Sequence, residues 1–199
     1  IDRFNGHFIS LWSQNPDGGN PQLVYGNYTM RPQTVFEPRA VPGSRKVVFT
    51  AGAHHSITGG SLCLLDRTRG TEEEAPLTRL TPEVCFPETG GWPEHYYANP
   101  WPLSEAHFLV AWADQRLPPH CRCTDEQNPA NAAGIYLFDA FGNLELLHRD
   151  PEISSGHPMP LAPRPCPPEI AAAAPQDPPA TARFVVQDVG RGLEGLPRG

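Results

Sequence analysis

The feature that most constrains this chain is a pair of strand patterns that recur in the same order. Val47-Val48-Phe49 corresponds to Phe108-Leu109-Val110, and the run from Leu62 to Asp66 corresponds to the run from Ile135 to Asp139. Each occurrence follows an entry strand that contains proline and precedes a turn and an outer strand. Four strands per repeat are typical of β-propeller blades, whereas a β-sandwich would not repeat this order with a strand-final aspartate. We therefore predict an all-β chain built from four-stranded antiparallel blades.

The repeat predicts a partial propeller of about three to four blades within residues 1–160. Its central strands are expected at Lys46–Ala51, His107–Trp112 and Gly134–Asp139. An earlier hairpin turns at Pro16-Asp17-Gly18, which is turn chemistry, and a further unit opens at residues 155–160. Two long loops, 83–96 and 114–133, separate strands within the units, and loops of this length are usually functional or disordered.

Proline and glycine account for 25 and 18 of the 199 residues. Because β-branched and aromatic residues lie among them, this level suits short strands joined by tight turns. Residues 161–181 are interpreted as an extended Pro/Ala-rich linker. Residues 182–199 contain one more apolar run, interpreted as a closing strand or the start of the next domain. The chain opens on Ile1 without methionine, so we expect it to be a piece of a longer protein.

The net charge and the length of the apolar runs argue against nucleic acid as a partner and against a membrane-spanning helix. A formal net charge of −7, with the basic residues scattered singly, disfavours nucleic acid, because phosphate binding needs clustered Lys and Arg. No apolar run of the sequence approaches the roughly 18 residues that a membrane helix needs. The five cysteines are an odd count and do not form a disulfide framework, so we interpret them as buried or half-buried thiols.

Histidine provides the first candidate site. His54 and His55 lie in the loop after a central strand, between Gly52 and Gly59-Gly60, and glycines let a backbone approach a ligand closely. Imidazole near neutral pH serves as a metal ligand, a contact to a haem edge or a proton carrier. The competing interpretation is a pair that packs the loop and bonds to the backbone.

The second candidate is the aromatic run that ends the first long loop. His95, Tyr96 and Tyr97 follow Glu94, and His and Tyr beside a carboxylate can form an oriented acid–base set. The alternative is that these aromatic rings pack a proline-rich loop. Because the loop after a central strand and the loop before an entry strand share one end of a propeller, we expect both candidate groups on one rim, contacting a common cofactor or partner domain.

Other catalytic and cofactor motifs are missing from the sequence. It contains no C-x-x-C-H haem attachment, no G-x-S-x-G elbow, no phosphate-binding loop and no H-E-x-x-H. His120-Cys121-Arg122-Cys123 resembles a metal clip, but the second pair of cysteines that a structural zinc site uses is missing. We therefore predict no metal site and no catalytic residue here, and no catalysis by this chain alone.

Several segments resemble one group of propellers. The run from Phe36 to Ala51 is similar to blades of Tol-type six-bladed propellers. The closer resemblance is to the middle domain of the hydrazine synthase alpha subunit family, and it covers roughly Phe4 to Gly195. The segments that carry it are Ala53 to Ser61, Asn99 to Ser104, Gly134 to Asn143 and Val186 to Val189.

The resemblance implies a module of a larger haem-containing redox protein. In that family the propeller lies between domains that carry haem c, and it lends a tyrosine and a nearby histidine to one haem environment. The neighbouring domains of the same chain would then be the partners, in a periplasmic or otherwise extracytoplasmic location. This sequence departs from the family's His–Tyr spacing, because Thr58 and Gly59 follow four residues after His54 and His55. His95-Tyr96-Tyr97 would be a displaced equivalent.

Two other functions stay open at the level of the sequence. The propeller can serve as a non-catalytic scaffold that binds a protein or a ligand, or as the lid of a serine peptidase. Sequence beyond Gly199 would distinguish these functions from the haem protein. C-x-x-C-H would favour the haem protein, G-x-S-x-G the peptidase, and neither motif the scaffold.

Overall fold

The computed structural model describes residues 9–55, 58–114, 129–164, 166 and 181. The chain divides into two units, Ile1–Pro165 and Cys166–Gly199, and the described strands all belong to the first unit. The apolar run in residues 182–199, most of the proposed linker and the His120–Cys123 segment lie outside the described residues, so those interpretations stay predictions.

Short antiparallel strands dominate the described residues, and the helix content is a single 3-10 turn, Arg67–Arg69. The strands are β1 (Leu11–Ser13), β2 (Gln22–Tyr25), β3 (Thr34–Ala40), β4 (Val47–Gly52), β5 (Ser61–Leu65), β6 (Leu77–Arg79), β7 (Tyr96–Pro102), β8 (His107–Ala113), β9 (Ala133–Asp139) and β10 (Leu144–His148). They form three sheets with the orders β1-β2, β3-β4-β5-β6 and β10-β9-β8-β7, referred to below as the hairpin sheet, the middle sheet and the last sheet.

The two four-stranded sheets have the consecutive antiparallel order of propeller blades, which confirms the prediction of an all-β propeller fragment. The three predicted central strands are confirmed, with β4, β8 and β9 at nearly the expected bounds. The described part of the chain contains two complete blades and one two-stranded sheet. Residues 155–160, where a further unit was expected to open, contribute no strand.

The middle sheet is buried on both faces because its two central strands are almost continuously apolar, so that each face presents apolar side chains. Leu62 and Leu64 pack in one cluster with Phe108 and Phe138 of the last sheet. The remaining members of this inter-sheet cluster are Val41, Val48, Leu80, Val84, Tyr97, Val110 and Tyr136. On the other face, a second cluster joins Phe49, Cys63 and Leu65 to Val24 and Tyr25 of the hairpin sheet.

The first strand of each blade is an edge strand with a bulge before a proline. The register shifts between Phe36 and Arg39 in β3 and between Ala98 and Trp101 in β7. Pro38 and Pro100 lie inside these shifts. Proline has no N–H to donate and is confined to edges and bulges, where it also blocks pairing with another strand.

Candidate functional site

The loop that carries His54 and His55 returns to the sheet at Gly60. The backbones of Gly60 and Tyr97 exchange two hydrogen bonds, with N–O distances of 2.9 and 3.0 Å, and so join the middle sheet to β7. A Cβ atom at Gly60 would lie 2.1 Å from the carbonyl oxygen of Ala51. The close contact with Ala51 therefore requires glycine at this position. The hydrogen bonds between Gly60 and Tyr97 place the two predicted candidate groups on adjoining segments.

His54 and His55 contact each other but have different surroundings. Their rings meet edge to face with centroids 4.6 Å apart. The backbone N–H of His54 donates to Gln33 Oε1 at 3.3 Å, and this residue is half-buried. The His55 side chain is 66% exposed, and its Nδ1 lies 2.7 Å from Glu88 Oε1. The backbone N–H of His55 also donates to Glu88 Oε2 at 3.3 Å.

Glu88 reaches His55 because a tight turn in the first long loop is anchored by its neighbours. Phe86 is buried in the second cluster, which joins the middle sheet to the hairpin sheet. The N–H of Gly90 donates to the Phe86 carbonyl at 2.8 Å. Glu88 itself has a left-handed backbone, with φ of 67°. Burial opposes ionisation of Glu88, but its hydrogen bonds with His55 outweigh this effect and lower the pKa of the carboxyl below its ordinary value.

His95 belongs to an aromatic group on the inter-sheet side of β7. Its Nε2 lies 3.9 Å from Glu83 Oε1, and its ring is 6.1 Å from the ring of Tyr97 and 6.0 Å from that of Trp112. Burial, together with the charge and hydrogen bond of Glu83, raises the pKa of Tyr97, so its phenol stays protonated at neutral pH. Tyr97 therefore acts as a buried hydrogen-bond donor and core residue.

Tyr96 points to the opposite face of β7 from Tyr97, because successive side chains alternate across a strand. Tyr96 is buried and lines a groove of about 410 Å³. The floor of this groove consists of Ala98, Ala111, Ala113 and Ala133, which the strand register places side by side on β7, β8 and β9. Short alanine side chains leave the space that larger residues would fill.

The structure thus divides the five predicted site residues into two groups with separate carboxylates. His55 pairs with Glu88, whereas His95 approaches Glu83. Gly60 joins the two segments through the backbone, but Tyr96 and Tyr97 face opposite sides of the last sheet. A cofactor common to all five residues stays a prediction.

Sequence reasoning did not find either glutamate. Glu83 and Glu88 lie in a proline-rich loop without periodicity, and their contacts depend on where that loop folds back. A third polar group, Glu37 with Asn99 and His157, was also missed as a group. A signal for it exists, because each of these residues directly precedes a proline at the start of a repeat unit.

Two features are absent from the described residues. None of the helices in that part of the chain is long and apolar enough to cross a membrane. Over the same residues, no group of three or more His, Cys, Asp and Glu side chains is close enough to hold a metal ion. Comparison of the chain with protein-family models, with curated proteins and with solved structures gave no match.

Proposed function

We propose that this chain is a propeller module of a larger, extracytoplasmic haem-containing redox protein, like the middle domain of the hydrazine synthase alpha subunit. In this proposal the module does not carry out the chemistry itself. It presents His55 to a haem or metal centre held by a neighbouring domain, and the paired glutamate fixes the orientation of the imidazole.

The observation that carries the proposal is the His55–Glu88 pair. Histidines that bind a metal almost always give their other ring N–H to a carboxylate or a carbonyl, which fixes the tautomer and the ring orientation. In this chain Nδ1 of His55 lies 2.7 Å from a carboxylate oxygen, while the side chain stays 66% exposed. In the tautomer in which Nδ1 donates its proton to Glu88, the Nε2 lone pair would be available to a metal centre.

The residues present fit such a centre as contributors of one ligand. The sequence has no C-x-x-C-H motif, so covalent attachment of haem would occur outside these 199 residues. The haem would supply electron transfer, and His55 would be the side chain of this module that contacts it. His54, in edge contact with His55, would restrict the rotation of that ring.

The test is the absorption spectrum of the complete protein, expressed with a cytochrome c maturation system. We expect a covalent haem signal in the complete protein and none in the 199-residue chain. His55→Ala should shift the haem bands or the reduction potential, and Glu88→Gln should shift them less. His107→Ala is the matched control, because this exposed histidine begins β8 at the opposite end of the strands.

Absence of haem from the complete protein would refute the proposal. A haem spectrum that is the same in His55→Ala, Glu88→Gln and His107→Ala would refute the role of the pair while leaving a haem protein. The free energies of unfolding of His55→Ala and His107→Ala should agree within about 0.5 kcal/mol, because both side chains are exposed and such side chains contribute little to stability.

A scaffold without a redox role is the second candidate, and a different surface favours it. Leu109, Ile135 and Leu137 lie half-buried on the outer face of the last sheet. An apolar sheet face that no described sheet covers is a candidate interaction surface. If the complete protein contains no haem and Leu137→Asp abolishes association with a co-purified partner, the scaffold function replaces the redox function.

A further inference from the structure

A backbone contact between the middle and last sheets recurs on the outer face of the last sheet. The N–H of Tyr97 in β7 donates to the Gly60 carbonyl at 3.0 Å, just before β5 begins. The N–H of Ser155 donates to the Ala133 carbonyl at 2.9 Å, at the start of β9. Gly60 and Ala133 are equivalent, because each lies two residues before a matched run of the repeat. Ser155 therefore takes the place on the last sheet that Tyr97 takes on the middle sheet.

A second contact recurs two residues further along the chain. Glu37, Asn99 and His157 each directly precede a proline and have φ values of 53°, 52° and 51°, although a residue before proline is normally extended. The backbone N–H of Asn99 donates to Glu37 Oε2 at 2.7 Å, and that of His157 donates to Asn99 Oδ1 at 3.1 Å. Each time, the later unit donates its backbone N–H to a side chain of the unit before it.

These two contacts place residues 155–158 where the entry strand of a blade begins. On the middle sheet the same contacts belong to β7, and the last sheet buries Leu62 and Leu64. The equivalent residues on the outer face of the last sheet, Ile135 and Leu137, are only half-buried. The interface between the sheets thus continues onto the outer face of the last sheet, which no described sheet covers.

The groove floored by alanines, here called the alanine-floored groove, indicates the shape of what covers this face. In the middle sheet the ring of Phe36 lies over Gly52, where an added Cβ atom would be 2.6 Å from Phe36 Cε2. The repeat places Ala98 and Ala113 at the equivalent positions, and a groove of about 410 Å³ lies over them. Ser155 also lines this groove and is too short to fill it. The groove can therefore accept a large side chain from another sheet.

We propose that the outer face of the last sheet docks the next four-stranded blade of the same polypeptide, entered at Ser155, and that an aromatic side chain of this blade fills the alanine-floored groove. The inference rests on the part of the proposed function that makes this chain a module of a larger protein, and it does not depend on haem. Large aromatic side chains seated in matching pockets contribute most to interfaces of this kind. The contacts of Ser155 and His157 set the register in which the blade packs.

The first test compares hydrogen–deuterium exchange in the complete protein and in the 199-residue chain. Backbone amides of Ala133–Asp139 should exchange at least about 10-fold more slowly in the complete protein, because the covering blade restricts local opening of β9. Amides of Val47–Gly52 are the internal control and should change less, because clusters already cover both faces of the middle sheet.

The second test uses Ala98→Phe, which introduces in the last sheet the ring that Phe36 provides in the middle sheet. In the complete protein it should remove most of the added protection of β9 and lower the unfolding midpoint by at least about 3 °C, because the new ring occupies the place of the incoming side chain. In the 199-residue chain the midpoint should stay unchanged or rise, because the ring fills an open groove. Ala130→Phe, at an exposed turn, is the control and should have little effect on either protein.

Equal exchange of β9 in the two proteins overturns the inference, and so does an Ala98→Phe midpoint that falls equally in both. If light scattering shows a dimer of the complete protein that Leu137→Asp converts to a monomer, a second copy covers the face and the inference is wrong. It is also wrong if protection of β9 requires a separate co-purified protein, which would support the scaffold function. A complete protein that lacks haem but still protects β9 would refute the redox function and support this inference.

Discussion

The middle and last sheets have the same strand order but differ in what covers their faces. The repeat aligns Val48, Leu62 and Leu64 of the middle sheet with Leu109, Ile135 and Leu137 of the last sheet. The first three are buried, at 0%, 0% and 4% exposure, whereas the second three are only half-buried. The difference arises because the last sheet covers one face of the middle sheet, while no described sheet covers the outer face of the last.

This comparison separates two roles of the same sequence pattern. In the middle sheet, apolar side chains on both faces produce two buried clusters. In the last sheet, the same pattern leaves an apolar surface next to the alanine-floored groove. The buried polar side chains of the described residues also lie in or next to the middle sheet. They are Thr29, Thr34, Thr50, Ser61 and Thr81.

The largest expected difference concerns matched leucines in the two sheets. Leu64→Ala should lower the free energy of unfolding by about 2–5 kcal/mol, because it leaves a cavity in the inter-sheet cluster. Leu137→Ala, at the equivalent position, should cost about 1 kcal/mol or less, because its side chain is already partly in water. Urea denaturation of both variants measures the difference. Equal losses would show that another segment covers the last sheet as fully as the middle one.

A smaller effect is expected for a buried hydroxyl at the edge of the middle sheet. Thr81 Oγ1 accepts from the backbone N–H of Leu62 at 2.8 Å and lies 3.0 Å from Ser61 Oγ. Thr81→Val should cost about 1–3 kcal/mol, because it leaves the Leu62 N–H buried without a partner. Thr78→Val, at an exposed position of β6, is the control and should change stability by about 0.5 kcal/mol or less. A loss below that of the control would contradict the assigned bond.

The smallest effect should be the same in both sheets, because it involves exposed groups only. Hydrogen bonds from the Thr68 side chain and backbone lower the pKa of Asp66, and those from the Asn143 side chain and backbone lower the pKa of Asp139. A lowered folded-state pKa adds stability above the ordinary value of about 4, and this stability disappears as the pH falls through the folded-state value.

Asp66→Asn and Asp139→Asn should therefore each reduce stability slightly at neutral pH and flatten its decline in acid. Thermal unfolding between pH 7 and the acid range tests this, with Asp17→Asn as the control at an exposed turn. Clearly unequal responses of the two aspartates would show that the different packing around the two sheets also affects the turns that carry Asp66 and Asp139.

Much of the fold follows from local pattern. Strand period, the strand-final Asp66 and Asp139, and the prolines at entry strands predicted the order and nearly the bounds of the central strands. Residues 155–160, where a further unit was expected to open, form no strand, and this segment instead bonds through the His157 N–H to Asn99. A strand pattern determines which backbone conformation is favoured, but a strand also needs a neighbouring strand that offers N–H and C=O groups.

The candidate sites divide in a similar way. The sequence by itself determined which imidazoles and phenols lie in loops and at strand starts, because composition and local period fix these positions. Only the tertiary structure decided their partners: Glu88 for His55, Glu83 for His95, and Glu37 through Asn99 for His157. These contacts join residues that are distant in sequence. They form where loops fold back onto the sheets, or where neighbouring sheets pack, and so bring charged and polar groups within a few ångströms. No local pattern encodes that approach.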